Sequence, residues 1–198
     1  KGRRALTVLA DVTDGASDDR LVTEVVDRLG KIDVFVANAG AAEGPDHVPV
    51  VDLDEDVFDL VQRVNVKGTF LTTRAVARHL IARHSVDPTN GGRILIMSSL
   101  AGKRPMPLYA AYSASKFALV GLTQSLAHEL GPHGITVNAL CPGFIPTERA
   151  TATASALRER QQFNAEVNVK RNILIAVGLL DRDAEVELTE IDAIYTDS

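Results

Sequence analysis

Four short apolar runs, separated by stretches with helical patterning, constrain the fold of this 198-residue chain more than any other feature. The runs are "ALTVLA" (5–10), "IDVFVANAG" (32–40), "RILIMSS" (93–99) and "ITVNALC" (135–141). Each has the length and continuous apolar character of a strand buried on both faces. The alternation of strands and helices predicts an α/β fold, in which an open parallel sheet carries helices on both faces.

The three intervening stretches have signals for where a helix begins and ends. In the first, 17–30, Ser17 is expected to cap the helix and Gly30 to end it. The second, 52–84, is predicted as one long amphipathic helix, with Gly68 as a weak point within it. The third is predicted from about Leu108 to Leu130, with Gly131 closing it.

Polar and small residues follow directly after the predicted strands. These residues are Asp11, Asn38 to Gly40, Ser99 and the pair Pro142–Gly143. In open α/β sheets, ligands bind beyond the carboxyl ends of the strands. We therefore expect the functional site at this edge of the sheet.

Charge and cysteine content exclude several classes of function. The net charge of −5, with a pI near 5.5, provides no basic field for nucleic acid or anionic lipid. No apolar run has the length of a membrane span, and the single cysteine, Cys141, fits a reducing compartment. We expect a cytoplasmic protein with no nucleic-acid or membrane partner. No metal site is expected, because solvated helix faces and helix ends explain the histidine pairs His79/His84 and His128/His133.

The segment "YSASK" (112–116) places a phenol and an ammonium four residues apart at the start of the third helix. Residues i and i+4 share one helix face, so Tyr112 and Lys116 are within reach of each other. A nearby cation favours the ionised form of a phenol, which makes it a usable acid or base. Ser99 ends the preceding strand and offers a hydroxyl to a carbonyl oxygen. This chemistry suits a carbonyl/alcohol pair.

Seven segments, in order, resemble the short-chain dehydrogenase/reductase family over roughly 140 residues. They are "ADVTD" (10–14), "VANAG" (36–40), "VNVKGTF" (64–70), "ILIMSSLAG" (94–102), "YSASK" (112–116), "ITVNALCPG" (135–143) and "FIPT" (144–147). The chain is similar to 3-oxoacyl-ACP reductases and to alcohol or polyol dehydrogenases of that family. The resemblance implies a Rossmann-like, doubly wound parallel sheet, NAD or NADP as cofactor, and hydride transfer between the cofactor and a secondary alcohol or ketone.

The resemblance also implies catalytic roles. Tyr112 would be the general acid in reduction and the general base in oxidation, and Ser99 would orient the substrate oxygen. Lys116 would bond the nicotinamide ribose and favour the Tyr112 phenolate. Asn65 would interrupt the long helix and position a water that links Lys116 to solvent.

The remaining implied roles concern cofactor binding. Asp11 and Val12 would flank the adenine, while Asn38, Ala39 and Gly40 would support the sheet and the adenosine ribose. Pro142 and Gly143 would turn beside the nicotinamide, and Ile145 and Thr147 would hold its carboxamide. Thr147 fits a helix N-cap equally well, and Asn38 has a mainly structural role in the family.

The chain departs from the family pattern at both ends. No G-x-x-x-G-x-G or G-x-G-x-x-G segment occurs among its 14 glycines. The N-terminal βαβα portion, which holds the cofactor pyrophosphate and selects NAD or NADP, is therefore expected to be absent, and cofactor binding by the 198 residues alone to be weak. Residues 1–150 are interpreted as the catalytic α/β part, and 151–198 as a divergent segment of the same domain or a tail.

Two hypotheses of function follow. The first is an NAD(P)-dependent oxidoreductase that takes a small alcohol or carbonyl substrate and forms a homodimer or homotetramer. The alternative is a non-enzymatic truncated remnant, or a pseudoenzyme that serves as a partner subunit. A serine hydrolase is disfavoured, because Ser99 lies outside any G-x-S-x-G segment and no histidine is placed to serve it.

Overall fold

The computed structural model describes residues 4–41 and 47–143, which belong to a compact unit spanning Lys1–Gly143. The described residues form four α-helices and three strands: α1 (Gly15–Leu29), β1 (Val34–Ala37), α2 (Glu55–Gln62), α3 (Thr69–Val86), β2 (Gly92–Met97), α4 (Ala110–Leu130) and β3 (Ile135–Leu140). Short 3₁₀ turns occupy Val50–Asp52, Leu100–Gly102 and Gly131–His133, and a π-helical turn occupies Arg63–Gly68. The predicted boundary near residue 150 and the segment 151–198 lie outside the described residues.

The three strands form a parallel sheet in the order β1-β2-β3. Val34 of β1 lies opposite Arg93 of β2, and Gly92 lies opposite Ile135 of β3. Helices connect the strands, as parallel pairing requires. The predicted parallel α/β arrangement is confirmed for these three strands.

One face of the sheet carries the hydrophobic core. Ile94 and Ile96 of β2 are fully buried, and they share a single cluster with residues of α1, α3 and α4. Leu80 of α3 comes so close to Gly92 that a Cβ there would lie 2.5 Å from a Leu80 methyl carbon. On the opposite face Val34 and Val36 are exposed. The described helices thus cover one face, and helices over the second face stay a prediction.

The first predicted strand, at residues 5–10, is wrong for the described structure. This segment joins no ladder with β1, β2 or β3, and Leu9 is completely exposed. A strand needs a neighbour that satisfies its backbone N–H and C=O groups. Beside this segment, Arg4 donates hydrogen bonds to the last carbonyl groups of α1, at Arg28 and Leu29.

Helix ends differ from the predictions at several places. Asp14, not Ser17, caps α1, because its carboxylate accepts a hydrogen bond from the Ala16 N–H. Ser17 lies inside the helix, where its hydroxyl accepts from the Asp11 N–H. Gly30 ends α1 with φ 98°, as predicted. Gly131 keeps right-handed helical geometry, and Gly134, with φ 65°, provides the left-handed residue instead.

The long central helix begins at Glu55 and runs to Val86, with the π turn separating α2 from α3. Asp54 caps it by accepting from the Asp56 N–H, so the predicted start at residue 52 is too early. Gly68, predicted as a weak point, closes the π turn where it faces Val12. A Cβ on Gly68 would lie 2.9 Å from Val12 Cγ2. A side chain at position 68 would therefore have to displace Val12.

No helix within the described ranges has both the length and the apolar content to cross a membrane.

Candidate active site

Tyr112 and Lys116 occupy the first turns of α4, on one side of the helix, as their spacing predicts. The Lys116 ammonium lies 5.4 Å from the centroid of the Tyr112 ring. Lys116 is 7% exposed, and burial lowers the pKa of its ammonium. Nζ donates one hydrogen bond, of 2.9 Å, to the carbonyl of Met97 at the end of β2. α4 is thereby anchored to the strand end where the site was expected.

Asn65 lies at the centre of the π turn and is completely buried. Its Oδ1 accepts from the Ala41 N–H at 2.7 Å, and its Nδ2 donates to the Ala41 carbonyl at 2.8 Å. This pair of bonds holds the backbone just after Gly40. A Cβ on Gly40 would lie 3.2 Å from Asn65 Oδ1 and 3.7 Å from Lys116 Nζ. A side chain at position 40 would therefore crowd both the amide and the ammonium.

Asn65 also reaches α4 through a buried serine. Its Nδ2 donates to Ser115 Oγ at 3.0 Å, and the Ser115 hydroxyl donates to the Tyr112 carbonyl at 2.7 Å. Ser115 is completely buried. The predicted interruption of the long helix at Asn65 is therefore present, and Asn65, Tyr112 and Lys116 are brought together.

Two adjacent serines follow β2 and differ in their surroundings. Ser98 is buried, and its hydroxyl donates to the Lys116 carbonyl at 2.9 Å. Ser99 is partly exposed, and its Oγ accepts from the Ala101 N–H at 3.2 Å. Since that contact uses only an acceptor position, the Ser99 hydroxyl hydrogen is not engaged by it. The choice of Ser99 over Ser98 as the substrate-facing residue agrees with these surroundings.

Asp11 and Val12 lie in a turn that leads into α1. The Asp11 carboxylate accepts from both the N–H and the hydroxyl of Thr13. The backbone bond first, and then the hydroxyl bond, lower the pKa of that carboxyl, which is solvent-exposed and ionised. Val12 contacts Gly68, at the end of the π turn that holds Asn65. The turn at Asp11 and Val12 therefore packs against the same π turn that contains Asn65.

The other predicted cofactor residues have fewer fixed contacts. Asn38, Ala39 and Gly40 follow β1 and are exposed. The carbonyl of Pro142 accepts from the Leu100 N–H at 2.8 Å, which holds the end of β3 beside the turn after β2. Gly143 is the last described residue and is exposed. Ile145 and Thr147 lie outside the described residues.

Four residues make supporting contacts that the sequence patterns did not predict. Gln62 donates to the Ala111 carbonyl at the start of α4, and Ser98 and Ser115 make the bonds given above. Gly102 packs so closely on α4 that a Cβ there would lie 2.6 Å from the Lys116 carbonyl oxygen. Among these residues, only Ser98 and Ser115 are direct sequence neighbours of a predicted catalytic residue, in the "SS" pair and in "YSASK".

Comparisons with known proteins agree with this geometry. A family model described as short chain dehydrogenase matches residues 1–158. Sorbitol dehydrogenase from Cereibacter sphaeroides is 42% identical over 147 residues, which are 74% of this chain and 54% of that protein. The chain thus spans about half the length of the curated relatives it matches.

Solved structures give the same result. The crystal structure of NAD⁺-bound xylitol dehydrogenase superimposes with a TM-score of 0.68 at 35% identity, covering 74% of this chain and 54% of that one. Levodione reductase gives a TM-score of 0.69 at 34% identity, covering 77% and 56%. These likenesses confirm the Rossmann-like fold class. The chain belongs to the short-chain dehydrogenase/reductase family.

Proposed function

We propose that the chain is the catalytic part of an NAD(P)-dependent oxidoreductase that interconverts a secondary alcohol and its ketone. The observation that carries this proposal is the convergence of Asn65, Tyr112 and Lys116 beside Gly40, through the bonds of Asn65 and Ser115 and the proximity of the Lys116 ammonium to the Tyr112 ring. In this proposal Asn65, Ser99, Tyr112 and Lys116 are the catalytic residues.

The chemistry of the described side chains supports proton transfer at a carbonyl oxygen. In reduction, the Tyr112 hydroxyl donates its proton to the ketone oxygen while a hydride reaches the carbonyl carbon, and in oxidation both move in reverse. The Ser99 hydroxyl, whose oxygen accepts from the Ala101 N–H, donates a hydrogen bond to the same substrate oxygen. Such a donor stabilises charge that develops on that oxygen.

The described residues fit the nicotinamide end of the cofactor, which supplies or accepts the hydride when bound. The Lys116 ammonium carries three hydrogens, and its bond to the Met97 carbonyl uses one of them. We assign the other two to the ribose hydroxyls of the cofactor. We assign Asp11, Val12, Asn38, Ala39, Pro142 and Gly143 to the same ligand, with Ile145 and Thr147 proposed for the carboxamide.

The related proteins favour enzyme over remnant. Their names include sorbitol dehydrogenase and cyclohexanol dehydrogenase, and one similar structure is NAD⁺-bound xylitol dehydrogenase. These substrates are all alcohols. A non-enzymatic partner subunit would not need Lys116 buried beside Tyr112, since burial of an ammonium is costly.

The decisive experiment compares Tyr112→Phe with Tyr109→Phe. Both remove one phenolic hydroxyl, but Tyr109 has no lysine four residues on. Tyr112→Phe is expected to lower kcat by about 10²- to 10⁴-fold without a change in circular dichroism, because it removes only the transferable proton. Turnover of NADH or NADPH with a panel of ketones measures this. Equal activities of the two variants would refute the proposed role, and an inactive wild-type protein that binds NADH would favour the remnant.

We assign a homodimer or homotetramer to the same proposal. Phe58, Leu60 and Phe70 on the long helix and Phe117 on α4 are exposed. A two-fold interface would bury one such patch against its copy. Sedimentation at micromolar concentration tests this, and a monomer would contradict it.

We also assign a cytoplasmic location to the protein, because its single cysteine, Cys141, is free.

A further inference from the structure

Ser115 is at the centre of a hydrogen-bond chain that connects three separate segments of the protein. The chain begins at the Ala41 backbone, passes through the Asn65 amide and the Ser115 hydroxyl, and ends at the Tyr112 carbonyl. The segments are 24 and 50 residues apart in sequence. The side chains of Asn65 and Ser115 therefore connect the loop after β1, the π turn and the first turn of α4.

Every hydrogen of this network has a partner. The two Nδ2 hydrogens of Asn65 go to the Ala41 carbonyl and to Ser115 Oγ, and its Oδ1 accepts from the Ala41 N–H. The one hydroxyl hydrogen of Ser115 goes to the Tyr112 carbonyl. Asn65 and Ser115 are both completely buried, so water has no access to replace a missing partner.

The Tyr112 carbonyl already has a helical partner available in the Lys116 N–H, four residues on. The bond from Ser115 is thus additional to the backbone bonds of the helix, and the bond from Asn65 to Ser115 connects this part of α4 to the π turn. Lys116 is held from the other direction, since its carbonyl accepts from Ser98 and its Nζ donates to the Met97 carbonyl.

We propose that Ser115 is a positioning residue that fixes the Tyr112 backbone against Asn65, so that the phenol keeps its place relative to Lys116. Ser115 touches neither substrate nor cofactor in this assignment. Ser115 instead fixes the backbone of Tyr112, and that backbone sets the direction of the Tyr112 side chain. The inference rests on the proposed oxidoreductase function.

The chain offers a matched control on the same helical turn. Ser113 is also buried, at 7% exposure, but its Oγ has no hydrogen-bond partner among the described residues. Ser113→Ala therefore removes an equal group without breaking the network. Ser115→Thr keeps the hydroxyl that bonds to the Tyr112 carbonyl and serves as the conservative variant.

The test measures kcat and KM of the wild-type protein and the three variants, with NAD⁺ and NADP⁺ and a panel of linear polyols and cyclic secondary alcohols. Ser115→Ala is expected to lower kcat by about 10- to 100-fold, as a misplacement near 1 Å does, with KM for the alcohol little changed. Ser113→Ala should match the wild type, and Ser115→Thr should recover most of kcat. Thermal melts ensure that all variants are folded at the assay temperature.

Equal kcat values for Ser115→Ala and Ser113→Ala would overturn the proposal, as would a loss seen only in KM. Should Ser115→Thr fail to fold, the contrast between the two alanine variants decides alone. If the wild-type protein binds NADH but has no turnover, the proposed function fails, and hydrogen exchange of the 110–118 peptide tests the network separately. Faster exchange in Ser115→Ala than in Ser113→Ala would support the link, and equal exchange would overturn it.

Discussion

Gly102 provides the sharpest test of how α4 is positioned. Its ideal Cβ would lie 2.6 Å from the Lys116 carbonyl oxygen, about 0.7 Å inside the shortest ordinary C···O contact. The same Cβ would lie 2.5 Å from Ser98 Oγ, the group that donates to that carbonyl. Ser98 has a side chain that rotates, but the Lys116 carbonyl belongs to the helix backbone. Gly102→Ala must therefore displace α4 at the residue that carries the ammonium.

The expected cost follows from this displacement. Overpacking of this kind destabilises a fold by about 1–3 kcal/mol, which for a chain of this size lowers Tm by roughly 2–4 °C for each kcal/mol. A shift of Lys116 approaching 1 Å is expected to lower kcat by about 10- to 100-fold. Urea denaturation followed by circular dichroism measures the first effect, and a steady-state assay measures the second.

Gly121 is the control, because it is an exposed residue of α4 with nothing within 4 Å of its ideal Cβ. Gly121→Ala should stabilise the helix by about 0.5–1 kcal/mol and leave kcat unchanged. If Gly102→Ala had the stability and activity of Gly121→Ala, the tight packing against Lys116 would be refuted.

Three further predictions concern stability, cofactor binding and assembly. Burial of the Asp18 carboxyl between α1 and α3 raises its pKa, so the folded protein favours the protonated carboxyl. The contribution of this proton to the free energy of unfolding is complete below the ordinary carboxyl pKa, and it is lost as pH rises through the higher pKa of the folded state. Asp18→Asn should flatten stability against pH over that window in urea titrations, and an unchanged slope would contradict this. Gly68→Ala should push Val12 aside and weaken NADH binding, measured by calorimetry, and the double variant Gly68→Ala/Val12→Ala should recover that binding. If the effects of the two substitutions on the binding free energy were simply additive, the contact between positions 12 and 68 would be contradicted. Phe117→Glu should give a folded monomer in sedimentation, whereas an unchanged oligomer would place the interface elsewhere.

Local patterns predicted most of the described fold because they report burial and helix-forming spacing. The runs that became β1, β2 and β3 were found, as were the three helical stretches. The run at 5–10 was misassigned because apolar content indicates burial and not a hydrogen-bonded neighbour. The cap of α1 was misplaced because Asp14 and Ser17 are both good capping types. Only the turn at Asp11, which engages Ser17, decides between them.

In the candidate site too, local relations were predicted and contacts between distant segments were not. Tyr112 and Lys116 were paired correctly because four residues on a helix is a local relation. The contacts of Asn65 with Ala41 and Ser115 join residues far apart in sequence, and no single-sequence pattern specifies such pairs. The family resemblance located Asn65, but it gave no reason for Ser115 or Gly102.

The π turn sets the rotational phase between the two halves of the long helix. A π turn contains about one residue more than an α turn, which rotates everything after it by roughly 100°. Beyond the turn, Leu71 and Ala75 point into the core while Phe70 is exposed. Deletion of one residue between 63 and 68 would move Leu71 into the outward position of Phe70 and put Thr72 in the place of Leu71. The turn therefore cannot lose a residue without rotating the apolar side chains of α3 by roughly 100° from their places in the core.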